Sequence, residues 1–390
     1  MPRATAPLGK RVRDTLPPKL RRDTVRMKQH IAVILFACAV AGASVGYPSD
    51  LEPTRAGQDS FVSRAIFANG QLWLLTDGGA VSTIAPGSNQ RREVALPESA
   101  LDLWSFDGRP MVLTGNREGG PSWTVRSWNH GGWVSTGTVA ISGEVFIAAR
   151  SSKAATVILT SRRLIEVSQN EIREVDVSWP EHEALRGIPS MHITPDQVLL
   201  GRNAGEWGGG LFAVNRTTGT VRSIEERSAD LCAGVLNAEC DPVTGISDEP
   251  GHPNCVVASI GLRHLLSRGR IVEVCGTAVR KVYSSRDSSL GRDLLKRIGI
   301  AENDADRAAS VPFFGITTRD NAIWAVSPDR LYEIKTDGSI EAHPLPNFDT
   351  VGTIQVSFAD PKFVFVRTDI NERHSASGSV PILVPREVPN

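Results

Sequence analysis

The sequence lacks every short motif by which catalysis is ordinarily recognised. It holds no Gly-x-Ser-x-Gly elbow, no His-Glu-x-x-His pair and no phosphate-cradling loop, and Gly208-Gly209-Gly210 has no lysine to make it one. Cysteine is scarce, with 5 in 390 residues, and no Cys-x-x-Cys pair is present, which argues against the common structural zinc sites. The histidines beyond the basic leader, His130, His182, His192, His252, His264, His343 and His374, show no metal-ligand spacing. No apolar run reaches the ~20 residues that cross a bilayer as a helix; the one beginning at Ile31 stops after about 16, before Tyr47-Pro48. Formal charge is also missing, since 43 basic residues meet 43 acidic ones.

That balance hides an asymmetry. Residues 1–30 hold nine basic side chains, including Arg11, Arg13, Arg21 and Arg22, against Asp14 and Asp23 alone. The apolar stretch from Ile31 follows, then Ala41-Gly42-Ala43, with small residues where a signal peptidase cuts. Residues 1–50 therefore read as a basic leader and signal peptide cleaved near residue 43, with Met27 as an alternative start, and residues 51–390 as one domain. Leu35-Phe36-Ala37-Cys38 is a minor alternative, a lipobox that would leave Cys38 lipidated, although Phe36 is bulky for that motif. The expected location is periplasmic or extracellular. Without residues 1–30, 34 basic residues face 41 acidic ones, which argues against nucleic acid as the main partner.

Four cysteines follow the leader, and an even number in an oxidising compartment reads as disulfides. Cys255 opens CVVASIGL and Cys275 closes GRIVEVC, so a hairpin centred on Leu265 sets them opposite one another, within bridging distance. Cys232 with Cys240 is the remaining pair.

A phrase then recurs. QLWLLTDGGAVSTI (71–84) and AIWAVSPDRLYEI (322–334) each place an apolar pair, Leu72-Trp73 or Ile323-Trp324, before a polar turn and a second apolar stretch. Related units fall near 65–97, 100–139, 144–178, 190–226 and 243–283, then from FFGITT through SIEAHPL, and near 352–385. Short β-rich runs bounded by Gly, Pro, Asp and Asn, at about 46 residues per unit, predict an all-β, seven-bladed β-propeller of four-stranded blades. Leu290, Leu294, Leu295 and Ile298 predict one short helical insertion near 290–308. The last unit reads one strand short, and residues 61–63 are the expected donor that closes the ring. The phrase resembles the L-W-x-x-t-d-x-G-L-y-x-I repeats of secreted bacterial β-propellers, such as two-component-sensor propellers. That resemblance implies an architecture over 60–385, and propellers host many functions.

With strands A to D numbered outward from the channel, B–C turns share a face with the connections between blades, the face that propellers commonly use for binding. The fourth unit stretches its B–C turn with GRNAGEWGGG, presenting Arg202, Asn203, Glu206 and Trp207; the fifth adds Arg263, His264 and Arg268. Asp77, Asn116, Arg117, Glu118, Arg162, Arg163 and Asp329 occupy the equivalent turns elsewhere. An exposed Trp beside Glu and Arg is how recognition surfaces are often built. The expectation is a non-enzymatic module that binds a protein or a cell-envelope ligand through this face, without metal or cofactor. The competing class is a metal-dependent hydrolase or lyase, lactonase-like, holding a divalent ion at the channel mouth with Asn203, Glu206 and His264.

Overall fold

A computed structural model describes residues 62–85, 88, 90–116, 120–169, 171–179, 190–227, 234–263, 267–285, 310–345, 354–357, 363–368 and 382–385. Blade 1 is β1 (Val62–Ala68), β2 (Gln71–Thr76), β3 (Val81–Ile84) and β4 (Arg91–Val94). Blade 2 is β5 (Ala100–Phe106), β6 (Arg109–Gly115), β7 (Ser122–Asn129) and β8 (Gly132–Ala140). Blade 3 is β9 (Phe146–Ser151), β10 (Thr156–Thr160), β11 (Arg163–Val167) and β12 (Ile172–Asp176). Blade 4 is β13 (Ser190–Ile193), β14 (Gln197–Asn203), β15 (Gly209–Asn215) and β16 (Val221–Ile224). A small ribbon, β17 (Glu226–Arg227) with β18 (Gly234–Leu236), precedes blade 5, which is β19 (Val243–Asp248), β20 (Cys255–Arg263), β21 (Ser267–Cys275) and β22 (Ala278–Tyr283). Blade 6 is β23 (Gly315–Arg319), β24 (Ala322–Val326), β25 (Arg330–Lys335) and β26 (Ile340–Pro344). The last sheet is β27 (Ile354–Ser357), β28 (Phe363–Thr368) and β29 (Ile382–Pro385).

Every blade is an antiparallel meander, so spatial order within the sheet follows chain order. Local chemistry explains the sharp reversals. Asn69-Gly70 and Asp107-Gly108 occupy two-residue turns with φ of 50° and 68°, and 50° and 69°, the left-handed backbone that a tight hairpin demands. The repeated phrase is the B–C hairpin, and its two copies share a register: Leu72 faces Ile84, and Ile323 faces Ile334. Trp73 and Trp324 are both buried, and the Trp73 indole donates to the Ala68 carbonyl at 3.0 Å.

The core lies between sheets. One apolar cluster joins Ile66, Trp73, Leu75 and Val81 of blade 1 to Leu103 and Val112 of blade 2. Another joins Trp104, Leu113 and Trp123 of blade 2 to Ile158 and Ile165 of blade 3. Similar clusters follow around the ring as far as blade 6, where Trp324, Val326 and Leu331 pack with Val356 of β27. The innermost strands β1, β5, β9, β13, β19, β23 and β27 adjoin one another in that sequence, and β27 lies beside β1. All-β architecture and four-stranded blades are therefore as expected.

The blade count is corrected. Six sheets carry four strands, not seven, and the last has three among the described residues. The expected donor strand is also corrected: Val62 and Ser63 belong to β1 and pair with β2, as the innermost strand of blade 1 rather than the outermost of the last sheet. The short apolar alternation from Val62 reads equally well as an inner strand, and the buried Val62, Ala65 and Phe67 take that place. The helical insertion expected near 290–308 lies outside the described residues, as does the leader. No helix among the described residues is long and apolar enough to cross a membrane.

Candidate ligand-binding face

The stretched B–C turn of blade 4 is a prolonged hairpin. Strands β14 and β15 stay paired to Arg202 with Gly210 and Asn203 with Gly209, and a single 3-10 turn, Gly205–Trp207, closes the tip. The Asn203 side chain accepts from the Gly205 amide at 2.9 Å, which fixes the turn. Trp207 stands at the tip with 86% of its surface exposed, the most exposed of the large apolar side chains among the described residues. Arg202 is half-buried, and its Nε has no hydrogen-bond partner among the described residues. Arg263, at the end of β20, is exposed.

The three glycines have a packing role. The connection from blade 4 to blade 5 folds onto them: Gly209 donates to the Ala238 carbonyl at 3.0 Å, and Gly210 to that of Asp241 at 2.8 Å. A Cβ on Gly209 would sit 2.1 Å from the Asp241 carbonyl oxygen, and one on Gly208 would sit 2.9 Å from that of Glu239. The backbone is thus opened to the chain's own loop, not to a ligand. Blade 5 repeats the device, since a Cβ on Gly261 or Gly269 would meet the carbonyl of Phe313 or Val311 at 2.0 or 2.3 Å.

An ion network holds the connection. Asp241 is fully buried and accepts from the Asn237 amide at 2.7 Å and from the Arg270 guanidinium, with Arg268 Nε at 3.5 Å. Burial lowers the Arg270 pKa, while the Asp241 charge opposes that shift. Arg268, expected as a free positive charge on this face, is therefore engaged by Asp241. The remaining turns are largely occupied by local structure. Arg163 binds Glu144 at 2.6 Å and also Glu174, Asp77 caps Gly78, and Asp329 accepts from Ser327 at 2.9 Å. His264, Arg117 and Glu118 lie outside the described residues.

Cys255 and Cys275 form a disulfide across β20 and β21 at directly opposed positions, with Cα atoms 4.4 Å apart. Cys240 is also disulfide-bonded, and Cys232 lies outside the described residues. Two clusters of potential metal ligands occur among the described residues. In the first, His252, Cys255 and Glu273, the sulfur is spent in the disulfide and Glu273 is held by His252 at 2.6 Å and by Arg280. The second, Glu333, Glu341 and His343, sits on the outer strands of blade 6, where Lys335 pairs with Glu341 at 2.5 Å. Neither includes Asn203 or Glu206, and neither lies on an innermost strand.

These features define an all-β propeller of four-stranded blades with one prolonged, tryptophan-tipped hairpin. No family model and no curated relative matches the chain. Among solved structures it is similar to the extracellular domain of BT4673 from B. thetaiotaomicron, at TM-score 0.45 and 12% identity over 80% of this chain and 38% of that one. It is similar too to Sqt1 of Saccharomyces cerevisiae, at TM-score 0.46 and 13% identity over 84% of each chain. YCF48 from Cyanidioschyzon merolae gives TM-score 0.45 and 11% identity over 80% of this chain and 94% of that one. Likeness at this level extends to architecture only.

Proposed function

We propose that the chain is an exported propeller that binds a protein or a cell-envelope ligand through the face of its B–C turns. The observation that carries the reading is Trp207. A side chain this apolar, 86% exposed at the end of a hairpin that its own loop braces from behind, has the build of an interface anchor. Because Gly208, Gly209 and Gly210 are spent on packing, recognition falls to the tip and its flanking charges, Arg202, Glu206 and Arg263. Export is supported by the disulfide of Cys255 with Cys275 and by the leader.

The test compares the wild-type protein with Trp207→Ala for retention of components from a fractionated cell envelope. Loss of an anchor of this kind costs about 2 kcal/mol or more, so retention of a true ligand falls more than about tenfold while the thermal midpoint stays unchanged. Equal retention by the two proteins overturns the assignment to this face.

A further inference from the structure

The three innermost strands of blades 1, 2 and 3 contribute one carboxylate and two guanidinium groups to a single cluster. Asp102 on β5 is 2% exposed; its Oδ1 forms an ion pair with Arg64 Nε on β1 at 2.9 Å and accepts from the Leu103 amide at 2.8 Å. Its Oδ2 accepts from Arg150 Nη1 on β9 at 3.3 Å, and the same Nη1 donates to the Ala149 carbonyl at 2.7 Å. One guanidinium would neutralise Asp102; the second leaves a unit of positive charge in surplus. Arg64 is engaged only through Nε, so its two Nη groups have no partner among the described residues, and Nε and Nη2 of Arg150 are likewise unspent there. Both side chains keep contact with solvent, at 29% and 24% exposure. Each innermost strand is flanked by its neighbours in the ring and backed by its own sheet, so solvent reaches these groups from the space that the ring encloses or from its mouths.

We infer that Arg64 and Arg150 form an oxyanion site in the central channel, which takes the carboxylate or phosphate group of a small molecule. Two planar forks with unspent N–H donors match such a group bidentately, and it would cancel the surplus charge. The Arg150 guanidinium pKa is lowered to about 10, first by burial and then by the Arg64 charge, so the second cation is held at a cost that an anion would relieve. Other charged groups on the described innermost strands do not supply that anion. Asp248 is paired with His192 at 3.0 Å, and Arg319 with Asp320 at 3.4 Å. The site is built from innermost strands, not from the B–C turns, and does not rest on the reading of Trp207.

The experiment titrates the whole exported protein with inorganic phosphate and, separately, with acetate, by calorimetry at constant ionic strength, with sodium chloride as the control. Saturable binding is expected with at least one of the two probes. Arg64→Gln weakens it about tenfold, the loss of one charge-assisted contact. Asp102→Asn is the discriminating variant. It frees both guanidinium groups from their internal anion and should strengthen binding about tenfold, whereas a purely structural triad gives no such gain. Thermal midpoints of the variants without added anion establish that they are folded. Wild-type protein that binds neither probe beyond the chloride control, or binding equal in the wild type, Arg64→Gln and Asp102→Asn, overturns the inference.

Discussion

Replacing Gly209 by alanine tests whether the glycine run of the prolonged hairpin serves packing. The backbone of Gly209 needs no left-handed angle, so the substitution acts through contact alone. Its new Cβ would lie 2.1 Å from the Asp241 oxygen, 2.5 Å from the Asp241 carbonyl carbon and 2.5 Å from Pro242 Cα. All three atoms are backbone, so no side chain can swing aside, and the connection has to retreat by more than ~1 Å to restore an ordinary contact of ~3.4 Å. Retreat stretches the bonds from Gly209 to Ala238 and from Gly210 to Asp241, at 3.0 and 2.8 Å, each worth about 1 kcal/mol. Adding about 1–2 kcal/mol for overpacking gives a loss of about 3–4 kcal/mol. For a domain of this size that lowers the thermal midpoint by about 6 °C. The assay is thermal and guanidinium denaturation followed by circular dichroism, with Gly78→Ala as the control, because a Cβ there meets only Thr76 Oγ1 at 3.9 Å. A Gly209→Ala midpoint within about 1 °C of wild type, like that of the control, would refute the packing role and return the glycines to the ligand.

Two further outcomes are expected. Converting both Cys255 and Cys275 to alanine opens a link that spans 20 positions and should cost about 3 kcal/mol; intact mass that shows these two residues reduced in the exported protein would contradict the bond. The Glu166 carboxyl is pushed up by burial, but the bonds from Arg216 at 2.6 Å and Arg173 at 2.6 Å outweigh that and hold it below its usual range. A depressed folded pKa means the stabilisation is complete above the unfolded value of about 4.3 and is lost as pH falls through the folded value. Glu166→Gln should therefore cost about 2 kcal/mol at neutral pH and flatten the decline in denaturation midpoint below about pH 4.5. An unchanged acid slope would exclude that carboxylate as a source of the decline.

The scaffold was legible where pairing is local. Leu72 with Ile84, Ile323 with Ile334 and Cys255 with Cys275 are hairpin partners, and a hairpin writes its register as apolar alternation around a turn. The blade count was less so, because a strand at the end of a chain segment carries no label for the sheet it joins, and Val62 with Ser63 pair within blade 1. The stretched hairpin announced itself by length, and Trp207 stands exposed at its tip. What escaped was non-local. Gly208, Gly209 and Gly210 look the same whether a ligand or a later loop approaches, and that loop comes from Asn237 to Pro242. Asp102, Arg64 and Arg150 read as scattered solvated charges until three strands from three blades bring them together.

The glycine-floored contacts also change what counts as a module in this ring. The hairpin of blade 4 is completed by the stretch that leads into blade 5, and the hairpin of blade 5 by Val311 to Phe313, which leads into blade 6. Like roof slates, each is held down by the next. A blade excised at its sheet boundaries would carry a bare glycine edge away from its cover, so the exchangeable piece in duplication, deletion or graft is a blade together with the connection that follows, and junctions are best cut after Pro242 or after Phe313.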